Sequence, residues 1–162
     1  MTIDARFGAV FAASLLLCGL ALSSAARAET DSCSLLTPAQ VSAAVGVPVG
    51  DGQHVTATSL KTCTWTPTGS SELAAVTLFL QTAAAYDGGK TMANQMAVAA
   101  KGVAMTPASV GDDGYFFVTG DQAGLLVKKG ANSFKVTVYA KLPVDKKEAI
   151  ELALAKEVVA KM

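Results

Sequence analysis

Cys33-Ser-Leu-Leu-Thr-Pro-Ala-Gln40 and Lys61-Thr-Cys-Thr-Trp-Thr66 are the two stretches whose reading decides the fold. In the first, Thr37 can cap a helix with its hydroxyl and Pro38 fits a first turn that needs no N–H donor. Gln40 stands where its side chain can reach back to the cap. Val41, Ala44 and Val45 give that helix a buried stripe, and Gly46 ends it. The second stretch alternates as a strand does, with Cys63 and Trp65 on one face and Thr62, Thr64 and Thr66 on the other. A bond between Cys33 and Cys63 would therefore staple a short helix to a strand.

Whether that bond forms depends on the compartment. Residues 1–28 read as a signal peptide: Arg6, an apolar run from Phe7 to Leu22, then Ser23-Ser24-Ala25-Ala26-Arg27-Ala28, with cleavage expected before Glu29. The apolar run is about 16 residues, broken by Ser14 and Gly19, and falls short of the roughly 20 that a spanning helix needs. Cys18 lies inside it but is preceded by Leu17, where lipid attachment wants a small residue. The expectation is a periplasmic or secreted protein with no lipid anchor and no stable membrane span after cleavage. Cys33 and Cys63 then form the even pair that an oxidising compartment converts to a disulfide.

Cleavage leaves 134 residues, enough for one hydrophobic core, and no Pro/Gly-rich linker or repeat divides them. The remaining charges are 11 Lys against 12 Asp plus Glu, with no Arg. A near-neutral chain without a guanidinium lacks the bidentate phosphate clamp and the basic excess that nucleic-acid binding requires.

Past the disulfide lobe, Val47–Val55 has loop composition and Thr56–Leu60 reads as a weak strand. Leu73–Gln81 is apolar on both faces, with Val76, Leu78 and Leu80 opposite Ala75 and Phe79, which predicts a central strand covered on both sides. Thr82–Lys101 predicts a helix that Gly88-Gly89 should interrupt, secure from Lys90 onward. A short strand before Pro107 is expected, then Tyr115–Thr119, Leu125–Lys129 and Ser133–Ala140, joined by hairpin-length connections. Asp145 is expected to cap a last helix, in which Ile150, Leu154 and Val158 form a stripe while Leu152 and Val159 fall almost opposite. These elements give an α+β fold: an antiparallel sheet with two to three helices packed on it and one disulfide.

No constellation of residues points to a reaction. His54 is the sole histidine, in a Gly-Asp-Gly-Gln-His loop, and Asp51 beside it is the carboxylate a small hydrolase-like site would use. Asp112-Asp113 look like paired acids, yet neighbours in an extended chain point apart; with Asp121 they match no recognised calcium loop. Met92, Met96 and Met105 with His54 could form a soft copper site, though methionines four apart on an alanine-rich helix more often pack a core. Neither metal site nor cofactor is called for. Trp65, Tyr86 and Tyr115 are amphipathic aromatics able to line a cleft, with His54 as a fourth candidate, although Trp65 two residues from Cys63 also suits a plug on the disulfide.

The pattern Cys33-x-Leu35-Leu36-Thr37-x-x-x-Val41-x-x-x-Val45-Gly46, then Cys63-x-Trp65, Val110-Gly111-Asp112-Asp113-Gly114-Tyr115, Leu126-Val127-x-x-Gly130 and Ala153-Leu154-Ala155-Lys156 resembles secreted and lipoprotein domains of unknown function from bacterial envelopes. The resemblance implies a curved antiparallel sheet carrying helices, like envelope binding or sensor modules, and brings no catalytic residues with it. The expected function is non-enzymatic binding of a small apolar ligand or an envelope protein, through the sheet face or a helix–sheet edge. A hydrolase using His54 and Asp51 and a structural or stress-related envelope protein are the alternatives.

Overall fold

A computed structural model describes residues 29–162; the expected signal peptide lies outside them. A single 3-10 turn, Ser32–Ser34, precedes α1 (Pro38–Val45), β1 (Gln53–His54), β2 (Thr62–Trp65), β3 (Leu73–Thr82) and α2 (Ala83–Ala99). Then follow β4 (Val103–Pro107), β5 (Asp113–Thr119), β6 (Gln122–Lys129), β7 (Asn132–Ala140) and α3 (Val144–Val159). The seven strands form one curved, unclosed antiparallel sheet in the order β1-β2-β3-β7-β6-β5-β4. The α+β class with one disulfide is as the sequence predicts.

The start of α1 is built as its residues dictate. Thr37 Oγ1 accepts from Gln40 N at 3.2 Å, and Gln40 Oε1 accepts from Thr37 N at 3.0 Å. Together they satisfy two of the helix's free donors. Gly46 closes the helix in the left-handed region, at φ 75°.

Side-chain alternation gives the sheet two unlike faces. One carries Cys63, Trp65, Val76, Leu78, Leu125, Val127, Phe134, Val136 and Val138 under α1 and α3, and forms the main core. On the other, α2 packs on β4, β5 and β6 through a small cluster of Tyr86, Ala93 and Tyr115 backed by Met105, Phe117 and Leu126, and also touches β3 and β7.

The structure corrects several expectations. Thr56–Leu60 is turn, not strand; the short pairing partner of β2 is Gln53–His54, inside the expected loop. Leu73–Thr82 is the third strand of seven, but its second face is not covered: Phe79 is 40% exposed. Helix α2 runs unbroken through Gly88-Gly89, with Thr82 Oγ1 accepting from Ala85 N at 3.2 Å. Each glycine costs about 1 kcal/mol relative to alanine. Full burial of Tyr86, upstream of the glycines, offsets that by tying the first turns to the sheet. Strand β6 begins at Gln122 because Gly120-Asp121 is a two-residue turn between paired Thr119 and Gln122.

Asp145 does not cap α3. Pro143 occupies the cap position, and Asp145 sits in the first turn, where its charge complements the helix dipole. The buried stripe of α3 is Lys147, Glu151, Leu154, Ala155 and Val158. Leu152 and Val159 pack partly against the same core.

Candidate functional site

The disulfide lobe gathers one of the expected candidates. Cys33 and Cys63 are bonded. Asp31 Oδ1 accepts from Cys33 N at 2.8 Å, which starts the 3-10 turn and fixes the carboxylate. His54 lies across this corner: Nε2 is 3.2 Å from Asp31 Oδ1, and Nδ1 is 3.1 Å from Thr62 O and 3.6 Å from Cys33 Sγ. Both ring nitrogens therefore face oxygen acceptors. The partner of His54 is Asp31 and not Asp51, which is exposed in the loop. Asp31, Cys33 and His54 also converge closely enough to hold a metal ion, but the bonded Cys33 offers no thiolate to one.

Trp65 is completely buried on the core face beside Cys63. Gly52 crosses over both: a Cβ there would stand 2.5 Å from Cys63 Sγ and 2.9 Å from the indole. Only glycine lets the loop lie this close, and the loop seals Cys63 from solvent while Cys33 stays partly accessible. The plug reading of Trp65 is the one the structure shows.

Tyr86 and Tyr115 meet in the cluster under α2, with ring centroids 5.4 Å apart and planes tilted by 58°. They are 0% and 2% exposed, so neither lines an open surface. Lys90 Nζ lies 5.9 Å and 5.8 Å from the two ring centres and bonds Asp113 at 2.6 Å. Lys128 Nζ lies 5.6 Å from the Tyr86 ring and bonds Asp87 at 2.8 Å. The two cations thus cover the tyrosine pair while their charges are met by carboxylates. Hydrogen bonding from Lys90 holds Asp113 below the usual carboxylate range. Burial, then the charge of Asp113, pushes both phenols up.

The other constellations come apart. Asp113 turns to Lys90, whereas Asp112 accepts from Lys129 Nζ at 2.8 Å and Gly130 N at 2.7 Å. Asp121 belongs to the β5–β6 turn, and among the described residues these three acids form no common site. Met92 and Met96 are exposed on α2 instead of packing a core. Met105 on β4 and His54 on β1 sit at opposite edges of the sheet, so no methionine–histidine site is assembled.

What the sequence did not flag is the bare part of the second sheet face. Across β2, β3 and β7 it presents Thr62, Thr64, Ala75, Thr77, Phe79 and Tyr139, with Ala75 paired to Tyr139 and Phe79 to Lys135. Phe79 and Tyr139 are 40% and 42% exposed, and no helix covers them. Tyr139 also borders a shallow hollow of about 510 Å³ with Ser71, Glu72, Gln122 and Lys141. A second hollow, of about 640 Å³, opens at the far end of β3 between Lys61, Gln81, Asn132 and Lys161. Among the described residues no helix is long and apolar enough to cross a membrane. Comparison with known protein families, with curated proteins and with solved structures finds no match for this chain.

Proposed function

We propose that this protein is an extracytoplasmic binding module that docks one segment of another envelope protein on the bare face of β2, β3 and β7. The observation that carries the reading is the pair of exposed aromatics, Phe79 and Tyr139, on a sheet surface that also carries threonines, Ala75 and Lys135. Aromatic side chains exposed on a rigid sheet offer large contact area with little entropy to lose. The disulfide supports a location in an oxidising compartment, in agreement with the leader read in residues 1–28.

The size of the face favours a segment over a whole domain. Three strands about 4.8 Å apart, over the rows from Ala75 to Phe79, give roughly 15 Å by 17 Å, near 250 Å². A standard stable interface covers about 800 Å² on each partner, so the fit is to a single helix or extended peptide held transiently.

A photo-crosslinking residue placed at Tyr139 tests this in intact envelopes. The expected result is a discrete protein adduct that Phe79→Ser abolishes while the melting temperature stays within about 2 °C, because Phe79 is already partly solvated. The same adducts from a probe at Val98, which is exposed on α2 away from this face, would refute the assignment, as would no adduct at all.

A further inference from the structure

Each sulfur of the Cys33–Cys63 bond has a ring nitrogen in its neighbourhood. At Cys33 it is the Nδ1 of His54, 3.6 Å from Sγ, its ring held by Asp31 and Thr62 O. At Cys63 it is the Trp65 indole N–H. That group is fully buried and has no acceptor. The point a Gly52 Cβ would occupy is 2.5 Å from Cys63 Sγ and 2.9 Å from Trp65 Nε1, so donor and sulfur flank the same spot beneath the loop without a hydrogen bond between them. A disulfide sulfur is a weak acceptor, whereas a thiolate is a strong one, so reduction would offer this N–H an acceptor. The sulfurs also differ in access, since Cys63 is sealed and Cys33 is partly open.

We propose that Cys33–Cys63 is a thiol–disulfide exchange site whose co-reactant is a dithiol, with Cys33 as the sulfur attacked and His54 and Trp65 as donors to the two thiolates. One thiolate of the dithiol attacks Cys33 Sγ and forms the mixed disulfide. The electron pair of the broken S–S bond goes to Cys63 Sγ, which accepts from Trp65 N–H and then takes a proton. The second thiol of the co-reactant, as thiolate, attacks its partner sulfur in the mixed disulfide. Cys33 leaves as a thiolate beside the His54 ring, which Asp31 holds in place. The co-reactant departs as an internal disulfide, having given two electrons; the reverse sequence oxidises a dithiol. This site is separate from the bare sheet face and does not depend on it.

The reduced full-length mature protein, alkylated with iodoacetamide between pH 5 and 9 and read by peptide mass spectrometry at each cysteine, tests the proposal. Cys33 is expected to react with a midpoint at least about one unit below the ordinary value near 8.5, and at pH 6 about tenfold faster than Cys63. His54→Ala, at a partly exposed position, should return Cys33 to the ordinary midpoint. Trp65→Phe keeps an aromatic plug without the N–H and should slow reduction of the disulfide by dithiothreitol about tenfold; if that variant does not fold, the His54→Ala comparison decides. Ordinary and equal midpoints at both cysteines, a low Cys33 midpoint that His54→Ala leaves unchanged, or a disulfide that opens only with global unfolding would each overturn it.

Discussion

Substituting Glu151 by glutamine isolates the one carboxylate that is fully buried among the described residues. Its Oε1 accepts from Val138 N at 3.0 Å, on β7 beyond the last β6 pair, Leu125 with Val136. Its Oε2 has no partner. Burial pushes its pKa from 4.5 up to about 7, with the Val138 N–H opposing, Glu148 adding to the rise, and Lys135 and Lys147 reducing it. The folded pKa lies above the unfolded one, so the fold favours the protonated acid. Its contribution is fully present below pH 4.5, shrinks as pH rises, and is gone once pH has passed about 7. A displacement from 4.5 to about 7 corresponds to about 3 kcal/mol, of the order of 10 °C in Tm for a chain of this size. Glutamine keeps the oxygen that receives Val138 N–H and cannot ionise. Urea unfolding of both proteins from pH 4 to 8 should show near-equal stability at pH 4 and a gap opening in favour of Glu151→Gln, flat above about 7.5. Parallel stability curves for the two proteins would refute the reasoning.

Two further predictions concern the lobe that joins α1 to the sheet. Gly52→Ala drives a methyl to within 2.5 Å of Cys63 Sγ and 2.9 Å of the indole, both held rigidly, and should destabilise by about 1–3 kcal/mol in urea titration; an unchanged midpoint would show that the loop moves freely off Trp65. Replacing both cysteines by serine releases a loop of sequence separation 30 and should lower stability by about 3.6 kcal/mol on the chain-entropy account, with the m-value showing whether the unfolded state has expanded.

The local chemistry of the chain was legible where one residue type has one use. Thr37-Pro38-x-Gln40 gave the start of α1, and the even pair of cysteines beyond the expected leader gave the bond between them. The binding candidates were not. Trp65, Tyr86 and Tyr115 attract notice because they have polar tips, but the fold buries all three; Phe79, one of two exposed aromatics, looked like core because it stands in an apolar run. Alternation assigns a side chain to a face and does not reveal whether a helix lies on that face. The weak amphipathicity of α3 has a similar origin. Its buried stripe follows helical spacing from Lys147 through Glu151 to Val158, yet its first two members are charged, and only tertiary contacts explain them: Lys147 Nζ donates to Asp121 O at 2.6 Å and Glu151 receives Val138 N–H. Asp31, the partner of His54, is 23 residues away in sequence and carried no signal in the Gly-Asp-Gly-Gln-His loop.

The position of β7 has a consequence for how the molecule is made. It lies at the centre of the sheet, between β3 and β6, although it is the last strand in sequence. β1 to β3 on one side and β4 to β6 on the other can each form from near neighbours, whereas the two halves join only through residues 132–140. Leu78 must wait for Val136, nearly sixty residues later, so the closing step is a long-range one and sets a slow folding rate. A chain delivered N-terminus first would present two unjoined half-sheets until its final thirty residues emerge, and a truncation before β7 would leave both without a partner edge.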